Sequence, residues 1–207
     1  MAKILTRTLL ALVLGAPWLL APAQAGEALL LAAGAGYKKP FEALCARFGD
    51  DAGIEVRRLY GNIQQILTQA ERDGRVDVLI GEGHFLDRSG LRFERRVPLG
   101  EGSLVLAYAR GVHLGRPEEA TGLARVAMPD PRQAIFGRAA REYIEHAGLR
   151  FAKPPMVVST VPQVAAYLAS GEIDAGFINL TEALALGERI GGWIELPRAH
   201  YTSPRIE

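Results

Sequence analysis

The stretch Leu29–Phe41, LLLAAGAGYKKPF, constrains the fold more than any other part of the chain. Leu29, Leu30, Leu31, Ala32 and Ala33 make an apolar run of strand length, and Gly34-Ala35-Gly36 interrupts it. Phe41, Leu44, Cys45 and Phe48 then recur at i, i+3, i+4 and i+7, the spacing of one helix face. A strand, a glycine turn and a helix start gather unpaired backbone N–H groups at one point, where the helix dipole adds about half a positive charge. Such a terminus accepts anions, and small residues let a ligand approach the backbone. An ordinary strand-to-helix turn has the same local signature, so the feature gains weight by recurring.

It does recur. Ile54–Tyr60 has strand composition, and Gly61-Asn62 opens a helix with Ile63, Ile66, Leu67 and Ala70 on one face and Asn62 as its N-cap. Gly74 ends that helix, and Val76–Ile80 reads as a third strand followed by Gly81-Glu82-Gly83. Strands alternating with helices imply right-handed crossovers and a parallel sheet, whose ligands sit outside the carboxyl ends of the strands. The glycine turns lie at those ends. Arg95–Gly102 and Ser103–Tyr108 read as an extended segment leaving this unit, and Gly111–Gly122 as a polar loop.

The pattern resumes with a strand at Arg125–Met128, a stiff Pro129-Asp130-Pro131 turn, and a helix turning Phe136, Ala139 or Ala140, Tyr143 and Ala147 inward. Met156–Val158 is a strand, after which Ser159-Thr160 caps a helix carrying Pro162 in its first turn. Ile173–Ile178 and Trp193–Leu196 complete the strands, with a further helix after Asn179-Leu180-Thr181. The expected architecture is α/β and two-lobed, each lobe a mainly parallel sheet flanked by helices. Residues 26–98 form the first lobe, 99–200 the crossing segment and second lobe, and 201–207 the start of a return to the first. Helix starts from both lobes then face one cleft.

Residues 1–25 read as an export signal: Lys3 and Arg7, an apolar stretch broken by Pro17 and Pro22, and Ala23-Gln24-Ala25 as the cleavage site. Cleavage removes two positive charges from a formal net charge of +1, leaving about −1, which favours neither nucleic acid nor an anionic membrane as partner. The single cysteine, Cys45, lies on an apolar helix face and reads as a buried structural thiol. His84, His113, His146 and His200 show no metal-ligand spacing, and no metal or cofactor is expected. Glu82 and His84 follow the third strand and are candidates for the cleft wall, whereas Asp73, Asp77 and Asp174 suit turns or lobe contacts. The Gly-X-Gly turns lack the dinucleotide and phosphate-loop patterns, and no serine has a nucleophile-elbow context.

Five segments carry a family resemblance: Ala33–Phe41, Tyr60–Ile63, Gly74–Gly81, Ala127–Pro131 with Ile135–Gly137, and Gly171–Asn179. Through them the chain resembles the periplasmic molybdate-binding proteins of ABC importers, over nearly all of Leu29–Glu207. The resemblance implies a type II periplasmic-binding fold that captures a tetrahedral oxyanion without chemistry. The family grips its oxyanion with two serines at the first helix starts, two backbone amides in the second lobe, and a tyrosine. The serine positions fall on Ala35 or Gly36 and on Asn62 or Ile63, the amides near Phe136 and Val161, and the tyrosine position on Asn179. All three hydroxyls are absent here. Backbone donors survive such substitutions, the amides of Asn62 and Asn179 can donate, and Tyr37, Lys38 and Lys39 are further candidates. The family also continues past the point corresponding to Glu207, which implies a shortened chain or a truncated sequence.

The resulting expectation is an exported, periplasmic and monomeric binding protein that presents a molybdate- or tungstate-like anion to a membrane permease. A periplasmic sensor or accessory domain, and an enzyme holding a phosphorylated or carboxylated substrate, are the alternatives on the same fold.

Overall fold

The computed structural model describes residues 28–207; the export-signal reading of residues 1–25 lies outside them. The apolar run at the start becomes β1 (Leu29–Gly34), flanked in parallel by β2 (Val56–Gly61) and β3 (Val78–Ile80) in the order β2-β1-β3. A short 3₁₀ turn over Ala35–Tyr37 leads into α1 (Lys38–Ala52), and Asn62 opens α2 (Ile63–Asp73). Ile63, Ile66, Leu67 and Ala70 of α2 are buried, as their spacing requires.

On α1 the expectation is half met. Cys45 is buried, but Leu44 is 56% and Phe48 44% exposed. The helix packs chiefly on β2, the edge strand of a three-stranded sheet, so part of its apolar stripe overhangs. After β3 comes a helical turn that the sequence reading lacks, α3 (Gly83–Asp87), which buries Phe85 and Leu86.

The second sheet holds five strands in the order β7-β6-β8-β5-β9. These are β5 (Leu104–Tyr108), β6 (Val126–Pro129), β7 (Met156–Val158), β8 (Ala175–Asn179) and β9 (Gly192–Glu195). β6 is parallel to β7 and β8, while β5 runs antiparallel to both β8 and β9. Leu104–Tyr108, expected in the extended crossing segment, is thus an interior strand whose Leu104, Val105, Leu106 and Ala107 are fully buried. Its unbroken apolar run is what a strand covered on both faces needs. Helices α4 (Ile135–His146), α5 (Val161–Ser170) and α6 (Leu180–Leu186) pack around this sheet. Gly176 lets α5 sit close, since a Cβ there would lie 2.4 Å from Val164 Cγ1.

The two sheets are joined by a narrow antiparallel ribbon of β4 (Gly100–Glu101) and β10 (Arg205–Ile206). Glu207 exchanges two 3.1 Å backbone hydrogen bonds with Gly81, just past β3. A connection this thin, between two separately built sheets, has the form of a hinge. Among the described residues, no helix is long and apolar enough to cross a membrane.

Candidate functional site

Four helix starts, two from each lobe, meet at one small cavity. Gly34, Ala35, Gly36 and Tyr37 line it from the β1 turn, and Gly61, Asn62 and Ile63 from the β2–α2 junction. Ala134, Ile135 and Phe136 at the start of α4, and Thr160 and Val161 at the start of α5, close it from the other lobe. The centre of a water-sized sphere can range over about 20 Å³ inside it. One water needs about 10–15 Å³ by that measure, so with the lobes closed the space is tight, that of one or two water-sized groups.

The caps explain how the backbone stays available. Gly34 and Ala134, which precede the 3₁₀ turn and α4, make no side-chain cap, and neither does Thr160 before α5. Asn62 does cap: its Oδ1 accepts from Gln65 N at 2.9 Å, one turn into α2. The first N–H groups of a helix have no acceptor within it. Leaving them uncapped around a shared space makes an anion-binding concavity of oriented dipoles.

The wall carries no carboxylate, imidazole, thiol or cationic side chain. Lys39 is turned aside, its Nζ donating to Glu182 Oε1 at 2.6 Å, and Lys38 lies 5.8 Å from the centre of the Tyr60 ring. Glu82 does not line the cavity but pairs with Arg138 Nη2 at 3.2 Å, both groups being buried; His84 is exposed. The roles considered for the two lysines, Glu82 and His84 at the anion are therefore replaced by contacts elsewhere.

The sequence candidates Ala35, Gly36, Tyr37, Asn62, Ile63, Phe136 and Val161 all stand on this wall, whereas Asn179 stands behind it. Its Nδ2 donates to Gly36 O at 3.1 Å and to Thr181 Oγ1, holding the β1 turn against the second lobe. Asn62 likewise reaches across, its Nδ2 donating to Ser159 Oγ at 3.2 Å and Gln133 Oε1 at 3.4 Å. The two amides expected to donate to a ligand are thus already donating to protein. Each spans the cleft, so they act as clasps. Tyr37 packs its ring 5.9 Å from that of Phe136, and burial, reinforced by the charge of Glu82, pushes its hydroxyl well above the usual tyrosine pKa. It stays a neutral floor to the cavity.

Gly34, Gly61, Ala134, Ile135 and Thr160 also line the cavity without having been singled out as ligand positions. Each lies within two positions of a residue that was. The junction pattern finds the turn, but which side chains of the turn face inward depends on how the two lobes meet.

Residues 29–207 match the family of bacterial extracellular solute-binding proteins. The chain belongs to that family. It is similar to the molybdate-binding protein ModA of Rhodobacter capsulatus, 27% identical over 186 residues that cover 86% of this chain and 72% of that protein. Its fold is that of the periplasmic molybdate-binding protein of Azotobacter vinelandii, with a TM-score of 0.74 at 22% identity over 86% of this chain and 83% of the other. The substrate-binding domain of a putative molybdenum ABC transporter from Clostridium difficile shares it as well, with a TM-score of 0.60, 18% identity and coverage of 86% and 82%.

Proposed function

We propose that this chain is an exported, periplasmic solute-binding protein that captures a small tetrahedral oxyanion of the molybdate or tungstate type and delivers it to an ABC importer. The observation that carries this reading is the convergence of four helix starts, uncapped or only partly capped, on a cavity free of carboxylates. Main-chain donors and helix dipoles balance the anion's charge, as charge-assisted hydrogen bonds do. The tight volume favours the bare ion over an organic phosphate. The names of the relatives point to the same ligand class. The ribbon of β4 and β10 gives the hinge on which the lobes open for loading and release.

In this reading the protein binds and releases its anion without chemistry, and a cavity wall that carries no carboxylate, imidazole or thiol supports it. It works as a monomer whose two lobes together face the permease.

A thermal-shift panel of molybdate, tungstate, sulfate, phosphate and organic phosphates tests the reading. Ligand at 100 times Kd adds about 2.7 kcal/mol to stability, so molybdate or tungstate raises Tm and the organic phosphates do not. No shift with any inorganic oxyanion overturns the proposal.

A further inference from the structure

The cavity has few side-chain hydrogens to offer. Of the residues on its wall, Tyr37, Asn62 and Thr160 carry polar side chains. The Tyr37 hydroxyl is sealed in the protein, and the Asn62 amide is committed on both of its ends. Thr160 differs. It is half-buried at the N-cap of α5, where a threonine hydroxyl ordinarily accepts from the N–H of the second or third helical residue, yet it makes no such cap.

The local sequence removes one of those two donors. Pro162 occupies the second helical position and has no N–H. Gln163, at the third, sends its side chain back so that Oε1 accepts from Ser159 N at 3.1 Å. The Thr160 hydroxyl is spent on no helix N–H, and the residue lines the cavity beside Val161.

We propose that Thr160 is a ligand-binding residue, its Oγ–H donating to the oxyanion beside the main-chain N–H of Val161. This inference rests on the oxyanion-binding reading above and adds to it a side-chain donor. A hydroxyl in that place gives the anion a hydrogen bond without a counter-charge. A hydrogen bond of this kind to a charged partner is worth roughly a ten-fold to hundred-fold change in affinity.

The test is isothermal titration of molybdate, tungstate, sulfate and phosphate into the exported form of the wild type, Thr160→Val and Thr160→Ser, with the ligand-free Tm of each recorded. Thr160→Val keeps the shape and removes the hydroxyl; Thr160→Ser keeps the hydroxyl. The expected result is at least a ten-fold loss of affinity in Thr160→Val, near-wild-type affinity in Thr160→Ser, and ligand-free Tm values close to the wild type. Equal affinity in the wild type and Thr160→Val overturns the role of Thr160 and leaves the oxyanion reading standing. Equal losses in both variants assign the effect to packing and also overturn it. A wild type that binds none of the four anions overturns the oxyanion reading and this inference together.

Discussion

A Cβ on Gly36 would lie 3.4 Å from Asn179 Oδ1 and 3.6 Å from the Val161 side chain. One methyl can be accommodated there, but a branched side chain fills the gap between the β1 turn and the start of α5. Gly36→Val therefore abolishes the thermal shift given by molybdate while circular dichroism still reports a folded chain; an undiminished shift would place the ligand elsewhere. At this scale Gly36, Phe136 and Val161 were legible as candidates because each sits at a strand-to-helix junction. The employment of Asn62 and Asn179 was not. Their spacing marks them as turn residues, while the partners that claim their amides, Ser159, Gln133 and Gly36 O, are distant in sequence and adjacent only across the cleft.

Among the elements, α4 contributes most to how the site is held. Its first turn lines the cavity through Ile135 and Phe136, and it approaches the Pro129–Asp130 backbone closely at Gly137. A Cβ on Gly137 would come within 2.3 Å of Asp130 O, so Gly137→Ala forces the helix start away from the turn. The expected cost is about 1–3 kcal/mol, seen as a lower urea midpoint with an unchanged m-value. At the next residue, Arg138 Nη2 meets Glu82 at 3.2 Å and Nη1 meets Glu142 at 2.6 Å, while Glu142 Oε2 accepts from Thr202 N at 2.8 Å. This links the first lobe, α4 and the returning chain beside the hinge. Glu82→Ala leaves Arg138 buried with one carboxylate partner, and the expected loss is about 3 kcal/mol. The double variant Glu82→Leu/Arg138→Met recovers part of it. Equal midpoints for Glu82→Ala and the wild type would show the pair to be inert. The apolar period of α2 and α4 was readable as helix, because a continuous sheet lies beneath each. That of α1 misleads at Leu44 and Phe48, where the sheet below ends at β2.

For the molecule as a whole, burial leaves several tyrosines resistant to ionisation. Desolvation raises the pKa of Tyr37, Tyr60 and Tyr143, with Glu82, Glu42 and Glu118 respectively adding to the effect. The unfolded chain gives up these protons near pH 10, whereas the folded chain keeps them to higher pH. Stability from this source is intact below that pH and falls as pH rises through tyrosine ionisation. A series of urea midpoints from pH 8 to 11 should therefore decline above about pH 10, and absorbance titration of the native protein should show a delayed fraction of tyrosinate. A flat series would mean that the cores admit water freely. The clasps across the cleft, Lys39–Glu182, Asn62–Ser159 and Asn179–Gly36, are short polar contacts rather than a large apolar seam. Such contacts can be exchanged for water, which suits the lobe opening proposed above.

What the sequence determined by itself was local: apolar runs of strand length, glycine or asparagine at the turns, and helical periods after them. These depend on residues a few positions apart, and they suffice to order the elements and to place backbone donors at strand ends. The tertiary structure alone decided that β5 runs inside the larger sheet against its neighbours, that Glu82 serves Arg138 instead of the cavity, and that the starts of α4 and α5 close that cavity opposite the β1 turn. Each of those outcomes turns on groups far apart in the chain. Their proximity is set by how two sheets stack and hinge, which no window of the sequence contains.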